Sequence, residues 1–253
     1  MQNLDVEKIS GAIGGLVHNF DLRNLSDEEF EQVAGAFWEH QVLVFKDQSL
    51  PIEDHIEFGK KFGPLHTHPS ANGVQGHPEV LLLRNRGKSK TITEVWHSDV
   101  SCEEKPPAIS ILQCIEAPHY GGDTLFASQY QALESLSPAM RKMITPLRAV
   151  HSNFGMEATH PVVRTHPVTG RGALYVNRGF TKHLEGMTVA ESKPLLDYLV
   201  DVGSNPDLSM RQSWSVGDIV MWDNRCVMHY AVHDYADMPR EMHRVTIAGD
   251  RPE

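Results

Sequence analysis

The chain has 253 residues, with 23 Lys and Arg against 33 Asp and Glu, for a formal charge of −10 with histidine neutral. That length can bury a sizeable core, and an acidic balance with no basic face argues against nucleic acid as a general partner. There is no apolar run long enough to span a bilayer and no basic-then-apolar leader, and Cys102, Cys114 and Cys226 form no CxxC pair, so the expected setting is a reducing cytoplasm away from membranes.

Ser26 precedes Asp27, Glu28 and Glu29, and Phe30, Val33 and Phe37 recur at helical spacing, which predicts a capped amphipathic helix with acids in its first turn. Val42-Leu43-Val44-Phe45 predicts a buried strand, and Pro51 opens the first turn of a second helix that runs through Phe62 to the stop at Gly63-Pro64. From Glu79 onward the pattern changes to short β-type runs between Gly, Pro and Asp, at 80–83, 95–99, 109–114, 124–127, 162–165, 174–176, 219–222, 226–232 and 245–248. Such spacing predicts an all-β sandwich or barrel core. Helices are expected over 130–136, 138–145 and 189–202, the last introduced by Thr188. With no repeat, low-complexity segment or linker, one domain over 1–253 is expected.

The chemistry concentrates in His97-Ser98-Asp99, followed far downstream by His229, Arg240 and Arg244. On an extended strand, His97 and Asp99 share one face because side chains alternate. Alone, such a pair is an ordinary accident of strand sequence. Two histidines and one carboxylate with open positions, however, are the donor set of a non-haem Fe(II) oxygenase, and His229 stands at the exit of an apolar strand. The fifteen histidines favour a metal site without identifying its members. If Arg240 and Arg244 lie on a strand, their even spacing also puts both on one face.

Trp96-His97-Ser98-Asp99, Gly121-Gly122-Asp123-Thr124, His166-Pro167, Trp222-Asp223-Asn224-Arg225 with His229, and Arg240 with Met242-His243-Arg244 together resemble the taurine dioxygenase and 2,4-dichlorophenoxyacetate dioxygenase group of Fe(II)/2-oxoglutarate-dependent oxygenases. The resemblance runs from the first helix to the last strand. It implies a mainly β fold with flanking helices, the double-stranded β-helix or distorted jelly roll. It further implies His97, Asp99 and His229 as iron ligands, and Thr124 and Arg240 as the grip on the distal carboxylate of 2-oxoglutarate. A guanidinium fork suits that task, since it holds a carboxylate with charge-assisted and often bidentate bonds. The implied reaction consumes dioxygen, converts 2-oxoglutarate to succinate and carbon dioxide, and hydroxylates a carbon of a small organic anion.

By the same resemblance, Arg244 faces the anionic group of that substrate, His68 helps hold it, and Val100 and Phe180 wall its pocket. Read without the family, His68 is an exposed loop histidine, Phe180 a core phenylalanine and Arg244 a surface arginine. The chain departs from taurine dioxygenase at Thr93, Ala71 and Cys102, where that enzyme has Asn, Tyr and Phe, so taurine itself is not the expected substrate. A short loop is expected over 152–159, where relatives carry a longer segment over the pocket. It implies either a more open site or a missing mobile piece. Sulfonates, sulfate esters, phenoxyalkanoates and carboxylates are the candidate substrates, and a homo-oligomeric state is left open. The competing readings are a zinc hydrolase, which has no need of the arginines, and a halogenase, which lacks a carboxylate where Asp99 stands. A sensor of the same fold without turnover, and an oligomer using metal only for stability, complete the alternatives.

Overall fold

The helix Asp27–His40 begins where its cap requires. The Ser26 hydroxyl accepts from the Glu29 backbone N–H, and the Glu29 carboxylate accepts from the Ser26 backbone N–H, a reciprocal pairing that satisfies two otherwise orphaned donors. Its inward face carries Val33, Ala34 and Phe37, and it ends at Gln41 in the left-handed region at φ 65°. The chain then enters the strand Val42–Phe45, all of whose residues are buried. Pro51 is the N-cap of the helix Ile52–Lys60 rather than its first turn, so the helix starts one residue later than expected, and it ends at Lys60 rather than Phe62. This computed structural model describes residues 2–68, 73–85 and 94–253.

The larger sheet has eight strands in the order Asp5–Lys8, Gly15–His18, Val42–Phe45, Ile219–Asp223, Ile109–Glu116, Arg240–Ile247, His77–Asn85 and Gly73–Val74. Its pairings are antiparallel except that between Gly15–His18 and Val42–Phe45. A second, three-stranded antiparallel sheet is formed by Ser209–Gln212, Thr124–Ser128 and Val227–Ala231.

Period-two alternation distributes the larger sheet between two cores. Leu43, Phe45, Ile109, Ile111, Ile219, Met221 and Ile247 pack with Val33, Phe37 and Phe58 of the helices on one face. Val42, Val44, Leu112, Val220, Trp222 and Met242 meet Phe126, Met210 and Val227 of the second sheet on the other. Burial of both faces explains why these strands read as continuous apolar runs. The fold is the expected jelly roll with flanking helices, and the candidate site lies between its two facing sheets.

A third core joins Ala132, Leu133, Ile144, Leu196 and Leu199 of the helices Gln129–Ser135, Pro138–Ile144 and Val189–Gly203 to Ala149 and Leu174 of the smaller strands. Those strands form the sheet Thr181–Leu184, Arg148–Asn153 and Met156–Pro161, and the pair Val163–Thr165 with Gly172–Leu174.

Two expectations are corrected. Residues 95–99 do not form a strand: His97 makes a single bridge to His229, after which the chain turns, with the Glu103 N–H donating to the Val100 carbonyl. The stretch 152–159 is not a loop but the end of a hairpin, in which Asn153 pairs with Met156 across a two-residue turn at Phe154 and Gly155. Both turn residues have positive φ, 53° and 75°, the geometry that keeps a tight hairpin in step with strand twist. The final strand, Arg240–Ile247, also starts well before its expected boundary, because Arg240 and Arg244 break the apolar pattern while facing the cavity rather than solvent.

Candidate active site

The bridge between His97 and His229 is reciprocal: each backbone N–H donates to the other's carbonyl, at 3.0 and 2.8 Å. It sets the two imidazoles 4.1 Å apart between ring centroids. Asp99, two residues on, brings Oδ1 to 3.9 Å from Nε2 of both rings. All three side chains are buried, and their donor atoms lie within 4.8 Å of one another. His97 donates its Nδ1 proton to the Val95 carbonyl at 2.7 Å, which fixes the tautomer and leaves Nε2 a lone pair.

The electrostatics suit a divalent cation. Burial lowers the pKa of both His97 and His229, outweighing the nearby Asp99 carboxylate, so both rings are neutral donors. Burial alone would raise the Asp99 pKa, but the Arg244 guanidinium, with the Ser110 hydroxyl, prevails and holds it well below the ordinary carboxylate range. Two neutral nitrogens and one anionic oxygen fit Fe(II).

A polar relay orients the carboxylate. Ser110 Oγ donates to Asp99 Oδ2 at 2.7 Å, and Asn224 Nδ2 donates to Ser110 Oγ at 3.0 Å. Asn224 Oδ1 in turn accepts from the Asp99 backbone N–H at 3.2 Å and from Trp222 Nε1 at 2.9 Å. Oδ2 is thereby held by Ser110, while Oδ1 faces the histidines and is shared with Arg244.

Beside the cluster is a cavity of about 180 Å³, whose walls include His229, Thr124, Arg240, Arg244, Leu112 and Tyr235. At roughly 30 Å³ per water it has room for about six waters, the scale of a five-carbon diacid. Arg240 and Arg244 lie at alternate inward positions of one strand, as the spacing predicts. Arg240 Nε donates to the Gly122 carbonyl at 3.0 Å. Gly122 has φ 71°, and a Cβ there would stand 3.3 Å from Arg240 Cδ, so glycine both turns the chain and admits the arginine. Arg244 Nη1 donates to Asp99 Oδ1 at 2.7 Å, while its buried Nε has no partner among the described residues.

The family model described as taurine catabolism dioxygenase TauD, TfdA family matches residues 5–246. The chain belongs to the TauD/TfdA family. It is 32% identical over 279 residues to an alpha-ketoglutarate-dependent sulfonate dioxygenase of Saccharomyces cerevisiae, spanning 98% of this chain and 68% of that protein. It is 33% identical over 276 residues to an alpha-ketoglutarate-dependent sulfate ester dioxygenase of Pseudomonas putida, spanning 98% and 91%. A crystal structure of a taurine dioxygenase from Burkholderia xenovorans matches with a TM-score of 0.92 at 36% identity, covering 98% of this chain and 90% of that one. As a TauD/TfdA member the protein is a 2-oxoglutarate-dependent dioxygenase, whose chemistry uses Fe(II), 2-oxoglutarate and dioxygen.

The residues expected at the substrate of this TauD/TfdA enzyme gather at the His97 side of the cluster. Phe180 stands 6.4 Å from His97 between ring centroids and packs with Val100, Cys102 and Met156. Val100, directly after Asp99, has φ 42°, a strained position for a β-branched residue and of the kind that clusters at functional sites. His68 is half-buried, near enough to Arg244 and Asp99 to feel both charges, and burial lowers its pKa. Phe154, at the hairpin turn, makes ring contacts with His68 at 5.9 Å and Phe180 at 6.1 Å. Ala71 and Thr93 lie outside the described residues.

A second cluster, His166, Asp223 and Cys226, also brings possible metal donors together. Its bonding rules against a metal role. His166 Nδ1 accepts from the backbone N–H groups of Val168 and Thr169, so Nε2 carries the proton and donates to Asp223 at 2.9 Å. Asp223 is also held by Arg225 through bonds of 2.8 and 2.7 Å. This ion pair braces the turn between strands Ile219–Asp223 and Val227–Ala231, and so the approach to His229. Sequence reasoning missed Ser110 and Trp214, whose contacts with Asp99 and Thr124 span 11 and 90 residues and leave no local pattern.

Proposed function

We propose that this protein is an Fe(II)- and 2-oxoglutarate-dependent dioxygenase that hydroxylates a small organic anion, a sulfonate, sulfate ester, phenoxyalkanoate or carboxylate, giving succinate and carbon dioxide. The observation that carries the reading is the shared chamber: His229 of the donor cluster lines the same cavity as Thr124, Arg240 and Arg244. His97, Asp99 and His229 would hold the iron, which supplies the oxidising chemistry once 2-oxoglutarate and dioxygen are bound. Arg240 and Thr124 hold the distal carboxylate, which favours diacids over keto acids lacking a second anion. Arg244 has an uncommitted buried Nε–H and a guanidinium beside Asp99, and is assigned to the substrate's anionic group with His68. Val100 and Phe180 provide the apolar wall. The whole chain, 1–253, is taken as one catalytic domain.

The relatives' activities toward sulfonates and sulfate esters support the substrate class, and the intact donor set favours turnover over a sensor role. The test is succinate release from Fe(II)-loaded protein with 2-oxoglutarate and a panel of these four anion classes. At least one class should stimulate release; stimulation by none would overturn the proposal. With a stimulating anion in hand, Arg240→Ala should raise chiefly the KM for 2-oxoglutarate and Arg244→Ala chiefly that for the anion. A charge-assisted bond of about 1.5–3 kcal/mol corresponds to roughly ten-fold or more in each case. Equal effects of both variants on one ligand would reverse the assignment of the arginines.

A further inference from the structure

Trp214 lies in the chain between strands Ser209–Gln212 and Ile219–Asp223 and is buried in the core between the two sheets. Its indole Nε1–H donates to Thr124 Oγ1 at 3.0 Å. The Arg240 guanidinium lies 6.0 Å from the centre of its ring, within cation–π reach. A single side chain therefore bonds one of the two groups assigned to the distal carboxylate of 2-oxoglutarate and lies within cation–π reach of the other. Its backbone is held in place by register, since Gln212, two residues earlier, pairs directly with Thr124.

From this geometry we infer that Trp214 is a positioning residue for 2-oxoglutarate, an inference that rests on the functional reading above. The chemistry of the contact is directional. An indole N–H only donates, so Thr124 Oγ1 accepts from Trp214 and its own hydroxyl proton must turn elsewhere. Thr124 lines the cavity, where a carboxylate is a stronger acceptor than any neutral group. Trp214 thus polarises the hydroxyl and commits it to donation, the orientation an anion requires. The indole face restricts the Arg240 side chain from a second side, while the Gly122 carbonyl restrains its Nε. Both restraints act before the keto acid binds, so less ordering remains to be done on binding.

The test separates the N–H from the bulk of the ring. Trp214→Phe keeps an aromatic ring but removes the donor. It should weaken 2-oxoglutarate binding to Mn(II)-loaded protein, measured by calorimetry, by about five-fold, the scale of one hydrogen bond. In turnover, the KM for 2-oxoglutarate should rise while kcat at saturating 2-oxoglutarate and the KM for the organic anion stay within about two-fold. In a Thr124→Val background the same substitution should have little further effect, because the hydroxyl it orients is gone. If Trp214→Phe does not fold, benzothienylalanine at 214, which replaces the N–H by sulfur with nearly the same shape, makes the same comparison. Unchanged 2-oxoglutarate affinity in a folded variant, or an undiminished effect in the Thr124→Val background, would overturn the inference. Failure of the wild-type protein to bind 2-oxoglutarate at all would instead overturn the functional reading beneath it.

Discussion

Asp99 is the residue on which most of the site's charge converges, and its variants should differ in kind from those of the histidines. His97→Ala and His229→Ala should abolish turnover while leaving a cooperative melting transition, because an open catalytic site contributes less to folding than a closed structural one. Asp99→Ala should also abolish turnover, but it strands the buried Arg244 guanidinium without its carboxylate and should cost about 3 kcal/mol or more in denaturant unfolding. Ser110→Ala leaves the ligands intact and releases Asp99 Oδ2; the affinity for Mn(II), measured by calorimetry, should fall about 10–100-fold, as is usual when the partner of a metal ligand is removed. The sequence made His97, Asp99 and His229 legible because a metal needs particular donors and few residue types supply them. It concealed Ser110 and Trp214 because serine and tryptophan have many roles, and only the folded register brings them to Asp99 and Thr124.

Secondary-structure elements were legible where the chain carries its own punctuation. The helix Asp27–His40 announces itself through Ser26 and Glu29; Ser26→Ala should destabilise by about 1 kcal/mol, lowering Tm by roughly 2–4 °C in a calorimetric scan for a protein of this size. Strands buried on both faces, such as Val42–Phe45, were equally plain. Arg148–Asn153 and Met156–Pro161 were not, because Arg148, His151, Asn153, Glu157 and His160 break the apolar pattern. His151 and His160 are nevertheless buried, against each other and Tyr175. The His-x-Asp element was read correctly in outcome but not in cause. One bridge and a turn, rather than a pleated strand, bring its two side chains together.

At the scale of the whole molecule, stability should depend on pH through histidines buried in neutral form. Burial depresses the His55 pKa to about 4 and the His151 pKa to about 3. The unfolded chain then binds protons that the folded chain refuses, so stability is full above about pH 6.5 and falls as the pH drops toward 4. Each such histidine can remove up to about 3 kcal/mol over that interval. Melting curves should show a steep loss of Tm between pH 6.5 and 4.5, and His55→Gln should make that loss shallower. The mainly β class followed from the density of short strands and its jelly-roll form from the family resemblance, and the family motifs pointed to the residues proposed here for the metal and the keto acid. The partition of the larger sheet between two cores did not follow from them, since it depends on which helices cover which face. Its inner strand Arg240–Ile247 is paired on both flanks, with Arg240, Met242 and Arg244 toward one layer and Val245 and Ile247 toward the other. Slipping the strand by one position would exchange guanidinium for aliphatic groups across the layers, so a lineage that altered the interval between its two positive charges would forfeit its interior as well. The scope for new substrates therefore lies in walls that can be rebuilt singly, while the separation of the two anion holders is inherited with the architecture.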